Sequence, residues 1–319
     1  MRPKLRNRLP PGSPSTSLIA PLPLEIPVPD RRRRFPLAAT LLLTALIAAC
    51  SGGGGTVGAG GALRVSGSTT VNPVAVDAAE ALRKQGRKIT VDASGGSAGG
   101  ITQLADGQVE VAMSSKPIAD SDTAAHPGVS FQSTQIGADA VGVIVRREVF
   151  DGGVKSLDKA QVTALFEGRI ASWKELGGPD LAVFVYDKEP GRGTREVLDK
   201  YLYGTAKAPP PPDTDRFAIV GGNEETRTKL LSTPGSTGPL STSFITGHPK
   251  LAVVAIDGVE PSGENVRTAA YPMSRPLFLI TDGPAAGPAK ELIDFVVGPE
   301  GQKLVTRHGY LTLDELGLR

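Results

Sequence analysis

Lys88-Ile89-Thr90-Val91-Asp92-Ala93-Ser94-Gly95-Gly96-Ser97-Ala98-Gly99-Gly100-Ile101-Thr102-Gln103-Leu104-Ala105 is the stretch whose reading decides the fold. Lys88–Asp92 alternates as a strand does, Ile101–Ala105 reads as a helix, and the join is a run of Gly and Ser. The arrangement recurs at Ser66-Gly67-Ser68-Thr69-Thr70, between a strand over Leu63–Ser66 and a helix over Val71–Gln85. It recurs again at Gly191-Arg192-Gly193-Thr194, between a strand over Leu181–Tyr186 and a helix over Thr194–Leu202. Working outward, Val109–Met113, Ala138–Val145, Leu251–Ile256 and Leu277–Ile280 read as strands. Asp158–Phe166, Glu224–Leu231, Ala289–Val297 and Gly301–Arg307 read as helices, and Lys207–Asp213 as a Pro-rich loop. Alternating elements predict an α/β fold with mainly parallel sheets, in which a ligand sits beyond the carboxyl ends of the strands. All three turns fall at such ends.

The chemistry of the turns follows from their composition. A helix N-terminus leaves N–H groups unpaired and carries partial positive charge. Glycine lets backbone approach a ligand closely, and Ser or Thr adds a hydroxyl that donates and accepts. One such turn is a helix cap, whereas three that converge make a dry cradle for an oxyanion. None matches a nucleotide-binding pattern. Gly95-Gly96-Ser97-Ala98-Gly99 does spell the Gly-x-Ser-x-Gly elbow of α/β hydrolases, with Ser97 as the nucleophile of an alternative reading. That reading needs a histidine partner from only His126, His248 and His308. Three dispersed histidines and one cysteine predict no metal site and no cofactor.

The N-terminal part is of a different kind. Residues 1–30 are Pro-rich without a period, Arg31–Arg34 is a basic run, and Phe35–Ala49 is apolar. The apolar run is short for a membrane span but suits a secretory signal, so residues 1–49 are expected to be removed. Leu46-Ile47-Ala48-Ala49-Cys50 resembles the lipobox of bacterial lipoproteins, which makes Cys50 the expected lipidation site. Residues 50–61 then form a Gly-rich tether from lipid anchor to domain. Residues 1–49 hold eight of the 35 Lys/Arg and two of the 33 Asp/Glu, so the remainder carries 27 basic and 31 acidic groups. A chain of that sign is a poor nucleic-acid binder, because affinity for phosphate backbones needs clustered positive charge.

A series of segments runs in order along the chain: Gly67-Ser68-Thr69-Thr70-Val71-x-Pro73, Gly95-Gly96-Ser97, Val109–Ser115, and Leu165–Ile170 with Trp173–Gly178. Glu189–Arg195, Ile256–Val259, Tyr271–Leu277 and Gly298–Gln302 follow. In these segments, from about Gly67 to Leu311, the chain resembles the phosphate-binding lipoproteins of ABC-type phosphate importers, the PstS-like substrate-binding proteins. The resemblance implies a type II periplasmic-binding-protein fold, two lobes each with a mixed, mainly parallel sheet flanked by helices, and the ligand in the cleft between them. Chain crossings near 138–143 and 266–271 would leave 62–140 with 268–319 as lobe one and 141–267 as lobe two. It further implies phosphate-binding roles for Ser68, Thr69, Ser97, Ser115, Lys188, Arg192, Gly193 and Thr194. It also implies an ABC permease as partner, no enzymatic activity, a monomer, and a place in the cell envelope facing the periplasm or exterior. A sensor or scaffold of the same fold is the alternative within the binding class.

The sequence departs from the best-known members, which carry Asp where Ser115 stands, Arg where Lys188 stands and Ser where Arg192 stands. That Asp accepts the proton of hydrogen phosphate and repels sulfate. Its absence predicts secure oxyanion binding but a smaller preference for phosphate over sulfate than in Asp-bearing relatives.

Overall fold

In the computed structural model, which describes residues 61–205 and 207–319, short apolar strands alternate with amphipathic helices from the first described residues onward. β1 (Leu63–Gly67), α1 (Asn72–Arg83), β2 (Ile89–Asp92), α2 (Gly96–Ala105) and β3 (Val111–Ser114) build a parallel three-stranded sheet with β1 in the middle. α3 (Asp120–Ala125) leads to β4 (Phe131–Arg146), a strand of 16 residues. Next come α4 (Arg147–Asp151), β5 (Ser156–Leu157), α5 (Lys159–Phe166), β6 (Phe184–Lys188), α6 (Gly193–Tyr203), β7 (Phe217–Val220) and α7 (Asn223–Ser232). β8 (Ser236–Ser241), β9 (Leu251–Val253), β10 (Ala255–Ile256) and α8 (Gly263–Arg267) follow. β11 (Ser274–Asp282), α9 (Gly287–Val297) and α10 (Pro299–Arg307) complete the elements.

The main sheet runs β2-β1-β3-β11-β4-β8-β6-β7, with β9 also on β4. β4 is long because it serves two partners in turn. Phe131–Ala140 pairs antiparallel with β11, and Val141–Arg146 pairs antiparallel with β8 and β9. Each half has its own core. Leu63, Val65, Val74, Ala78, Leu279, Leu292 and Val296 close one, where α1, α9 and α10 cover the β1–β3–β11 side. Val143, Val145, Leu165, Trp173, Leu198 and Tyr271 close the other. Trp173 is wholly buried, and its Nε1–H donates to the Gly235 carbonyl at 2.7 Å. Truncating a buried aromatic of this size costs about 3–5 kcal/mol, so it anchors the second core. The α/β class with a mixed sheet and flanking helices is as the sequence predicts.

Two local expectations change, and one strand, β8, is found where none was expected. α2 begins at Gly96 rather than Ile101, since Ser97, Gly99 and Gly100 of the turn adopt helical conformation themselves. Leu251–Ile256 is not one strand: β9 pairs with β4, and β10 pairs with β5 in a separate two-stranded sheet. β8 has no apolar alternation, yet it is buried throughout. Its polar side chains are satisfied internally: Ser236 Oγ donates to the Leu230 carbonyl, Thr237 Oγ1 to the Ile144 carbonyl, and Ser241 Oγ to Asp139.

Candidate functional site

The turns after β1, β2 and β6 meet. Gly67, at φ +134°, lies so close to β3 that an added Cβ would sit 2.3 Å from the Met113 carbonyl oxygen, and only glycine lets the first turn form there. The Ala98 N–H donates to the Gly191 carbonyl at 3.1 Å, tying the second turn to the third. Gly193 is closer still: a Cβ on it would lie 2.5 Å from Ser115 Oγ and 2.8 Å from Ser97 Oγ. A fourth segment joins from α7, where the Asn223 N–H donates to Thr69 Oγ1 at 3.4 Å.

Ser68, Thr69, Ser97, Ser115, Lys188, Arg192, Gly193 and Thr194 all line one small cavity at this junction, together with Thr70, Gly96 and Asn223. Of the expected site residues only Cys50 is not among them. Cys50, the signal segment and nearly all of the tether lie outside the described residues. Gly96, Gly193 and Asn223 are the first residues of α2, α6 and α7, so three helix N-termini open on the cavity. Their first-turn N–H groups have no partner within the helix and favour negative charge.

The cations around the cavity are not equivalent. Arg192 pairs with Glu189 at 2.6 Å. Lys188 is buried at the end of β6, and its ammonium donates to Thr226 Oγ1 at 2.6 Å. Among the described residues no carboxylate lies within ion-pair distance of it. Burial first, then the nearby Arg275 and Arg192, push its pKa down to about 7, while Asp187 and Glu225 pull weakly the other way. One cation without a counter-ion at a cavity otherwise walled by hydroxyls and helix ends is an electrostatic demand for an anion.

A family model described as the PBP superfamily domain matches residues 53–300. The chain belongs to the PBP superfamily. Its relatives there are PstS-like phosphate-binding proteins. The phosphate-binding protein PstS of Bacillus subtilis (strain 168) is 30% identical over 263 residues, covering 81% of this chain and 83% of that protein. The protein of the same name in Staphylococcus aureus (strain USA300) is 26% identical, over 88% of this chain and 86% of its own. Among solved structures, a phosphate ABC transporter substrate-binding protein of Clostridium perfringens with bound phosphate superposes with TM-score 0.69 at 28% identity. That match covers 79% of this chain and 99% of the other. An ABC-type phosphate transport receptor of Vibrio cholerae shares the fold at TM-score 0.63 and 22% identity, over 78% of this chain and 99% of its own.

Against this PBP-superfamily background, the sequence reading missed Arg275, Thr70 and Asn223. Arg275 is the second residue of β11 and sits in register opposite Asp139 of β4, so their side chains share a face. The two form a sealed pair, each side chain 1% exposed, with Nη2 to Oδ2 at 2.7 Å and Nε to Oδ2 at 3.1 Å. Burial pushes the Asp139 carboxyl up, against the pull of Arg275 and Ser241. The guanidinium also donates to Thr194 Oγ1 at 2.9 Å, Ser115 Oγ at 3.3 Å and Thr70 Oγ1 at 3.0 Å. One side chain therefore fixes three of the cavity's hydroxyls. The signal was present in Tyr271-Pro272-Met273-Ser274-Arg275-Pro276, but a charge at the start of a strand reads as a surface residue unless its register partner is known.

Proposed function

We propose that the protein captures inorganic phosphate, or a closely related oxyanion, for delivery to the permease of an ABC importer, with no covalent chemistry. The observation that carries this reading is the cavity itself. It brings together eight residues picked from the sequence and one cation without a counter-ion, in a chain whose relatives are phosphate-binding proteins. In this reading 62–140 with 268–319 and 141–267 are the two lobes, and β4 crosses between them where its pairing changes from β11 to β8. Ser68, Ser97 and Ser115 then come from one lobe and Lys188, Thr194 and Asn223 from the other, so ligand binding and lobe closure are one event. Cys50 as lipid anchor would hold a monomer at the outer face of a membrane, a role that rests on the lipobox-like sequence. The hydrolase alternative has no base on its nucleophile: Ser97 Oγ contacts the Ser115 N–H at 3.1 Å and Ser115 Oγ at 3.3 Å, the Lys188 ammonium goes to Thr226 instead, and among the described residues no histidine lines the cavity.

Calorimetric titration of the purified protein with phosphate, sulfate, arsenate and molybdate tests the reading, and absence of phosphate binding would sink it. Thr69, Ser97 and Thr194 should each donate to the anion. Alanine at each position is expected to weaken phosphate binding by about 5- to 150-fold, the equivalent of one lost buried hydrogen bond. Wild-type affinity in all three variants would reduce these turns to helix caps.

A further inference from the structure

Asn223 Oδ1 is the one buried side-chain polar atom without a hydrogen-bond partner among the described residues. Asn223 is 1% exposed and lines the cavity, and its Nδ2 donates to Thr70 Oγ1 at 2.9 Å. A buried amide oxygen left bare is costly, and native proteins keep few of them. The residue belongs to the lining of a cavity whose other polar side chains are hydroxyls, a lysine and an arginine.

Every hydroxyl lining the cavity already accepts a proton from the protein. Ser68 Oγ accepts from the Thr70 N–H, Thr69 Oγ1 from the Asn223 N–H, and Ser97 Oγ from the Ser115 N–H. Thr70 Oγ1, Ser115 Oγ and Thr194 Oγ1 accept from Arg275. Apart from the one O–H shared between Ser97 and Ser115 at 3.3 Å, each of these oxygens keeps its own O–H to offer, so toward a ligand the wall is rich in donors. Lys188, Arg192 and the helix-end N–H groups are donors by nature. Such a wall serves the bare oxygens of a tetrahedral anion, and Asn223 Oδ1 is the one buried side-chain acceptor there that has no partner at all among the described residues, so it is where a protonated oxygen donates best.

We propose that Asn223 is the specificity-determining residue of the anion site: its Oδ1 accepts the proton of hydrogen phosphate, in place of the carboxylate that Ser115 replaces. The inference rests on the phosphate-binding reading above and deepens it to a ligand class, the tetrahedral oxyanions that carry a proton at neutral pH. Hydrogen phosphate and hydrogen arsenate satisfy Oδ1. Sulfate has no proton and places an oxygen lone pair against it, so a site built around this acceptor rejects it. An amide oxygen does this without a negative charge, and the cavity keeps the full attraction of Lys188 for the dianion. The preference for phosphate over sulfate that Ser115 forfeits is thereby restored from α7.

The test compares wild type with Asn223→Leu and Asn223→Asp, titrating phosphate, arsenate and sulfate by calorimetry, with sulfate also measured by displacement, and circular dichroism to monitor folding. Asn223→Leu should weaken phosphate and arsenate by about 5- to 150-fold and leave sulfate unchanged or tighter. Asn223→Asp, which keeps an acceptor in place, should retain phosphate binding and weaken sulfate further. Equal losses of phosphate and sulfate in Asn223→Leu would turn the amide nitrogen toward the ligand and overturn the proposal, as would an unchanged phosphate-to-sulfate ratio in both variants. Wild type that fails to bind phosphate would instead overturn the reading on which it rests.

Discussion

Arg275→Met is expected to cripple both stability and anion binding, for reasons a second substitution separates. Removing the guanidinium leaves the Asp139 carboxyl sealed away from water without its partner, a change that costs about 3–5 kcal/mol. At roughly 2–4 °C per kcal/mol for a chain of this size, the melting temperature should fall by about 6–20 °C. Binding suffers separately, because the hydroxyls of Thr70, Ser115 and Thr194 lose the donor that orients them. At about 1 kcal/mol for each misdirected donor, phosphate affinity should drop roughly 100-fold. The double variant Arg275→Met/Asp139→Leu removes the stranded carboxyl and should regain most of the lost melting temperature while recovering none of the affinity. A thermal scan and a titration on the two proteins decide the matter. If affinity returns along with stability, Arg275 is a structural residue alone.

Lys188→Met should act in opposite directions on folding and on binding. The anion loses the one cation at the cavity that, among the described residues, has no carboxylate of its own, and cutting a buried charge pair costs about 2–5 kcal/mol, or about 30- to 5,000-fold in affinity. The anion-free protein, by contrast, is relieved of a penalised charge. The Lys188 pKa is about 7 in the folded state against 10.5 for the free side chain, so between those values the unfolded chain binds the extra proton. Stability from this group therefore rises with pH from about 7 to about 10.5. Anion affinity follows the reverse course, because above pH 7 the ammonium must be reprotonated before it can serve the ligand. Comparing wild type with Lys188→Met removes the titration of phosphate itself from the comparison. The wild-type affinity should fall more steeply between pH 6.5 and 8.5, the range on either side of about 7, and its binding should take up a proton that calorimetry in two buffers reveals. Parallel pH profiles would show that Lys188 stays charged without the anion.

The sequence made the three turns legible because their information is local: a strand period stops, Gly and Ser intervene, and a helix period starts. Ser115, Lys188 and Arg192 were assigned only through resemblance to a family, since taken alone each is an ordinary polar residue. Arg275 and Asn223 were out of reach for different physical reasons. The importance of Arg275 comes from register, a pairing of β11 with β4 across 136 positions of chain, and register is a property of the assembled sheet. Asn223 sits in Gly221-Gly222-Asn223-Glu224, where an ordinary helix start explains it completely; only the packing of α7 on Thr69 and Thr70 turns its amide into the cavity. β8 escaped because its buried polar side chains find partners at distant positions, so neither hydropathy nor alternation marks it.

The chain has one tryptophan, and Trp173 lies wholly inside the second core with its indole N–H held by Gly235. Its fluorescence is therefore expected to be insensitive to the cavity: emission should stay blue while an anion comes and goes and shift red when that core melts. On that expectation the tryptophan reports the integrity of the second core rather than the occupancy of the cavity. A dye that reports closure has to be attached elsewhere, and Ala98, whose N–H meets the Gly191 carbonyl across the junction of the turns, marks the seam where the optical contrast would arise.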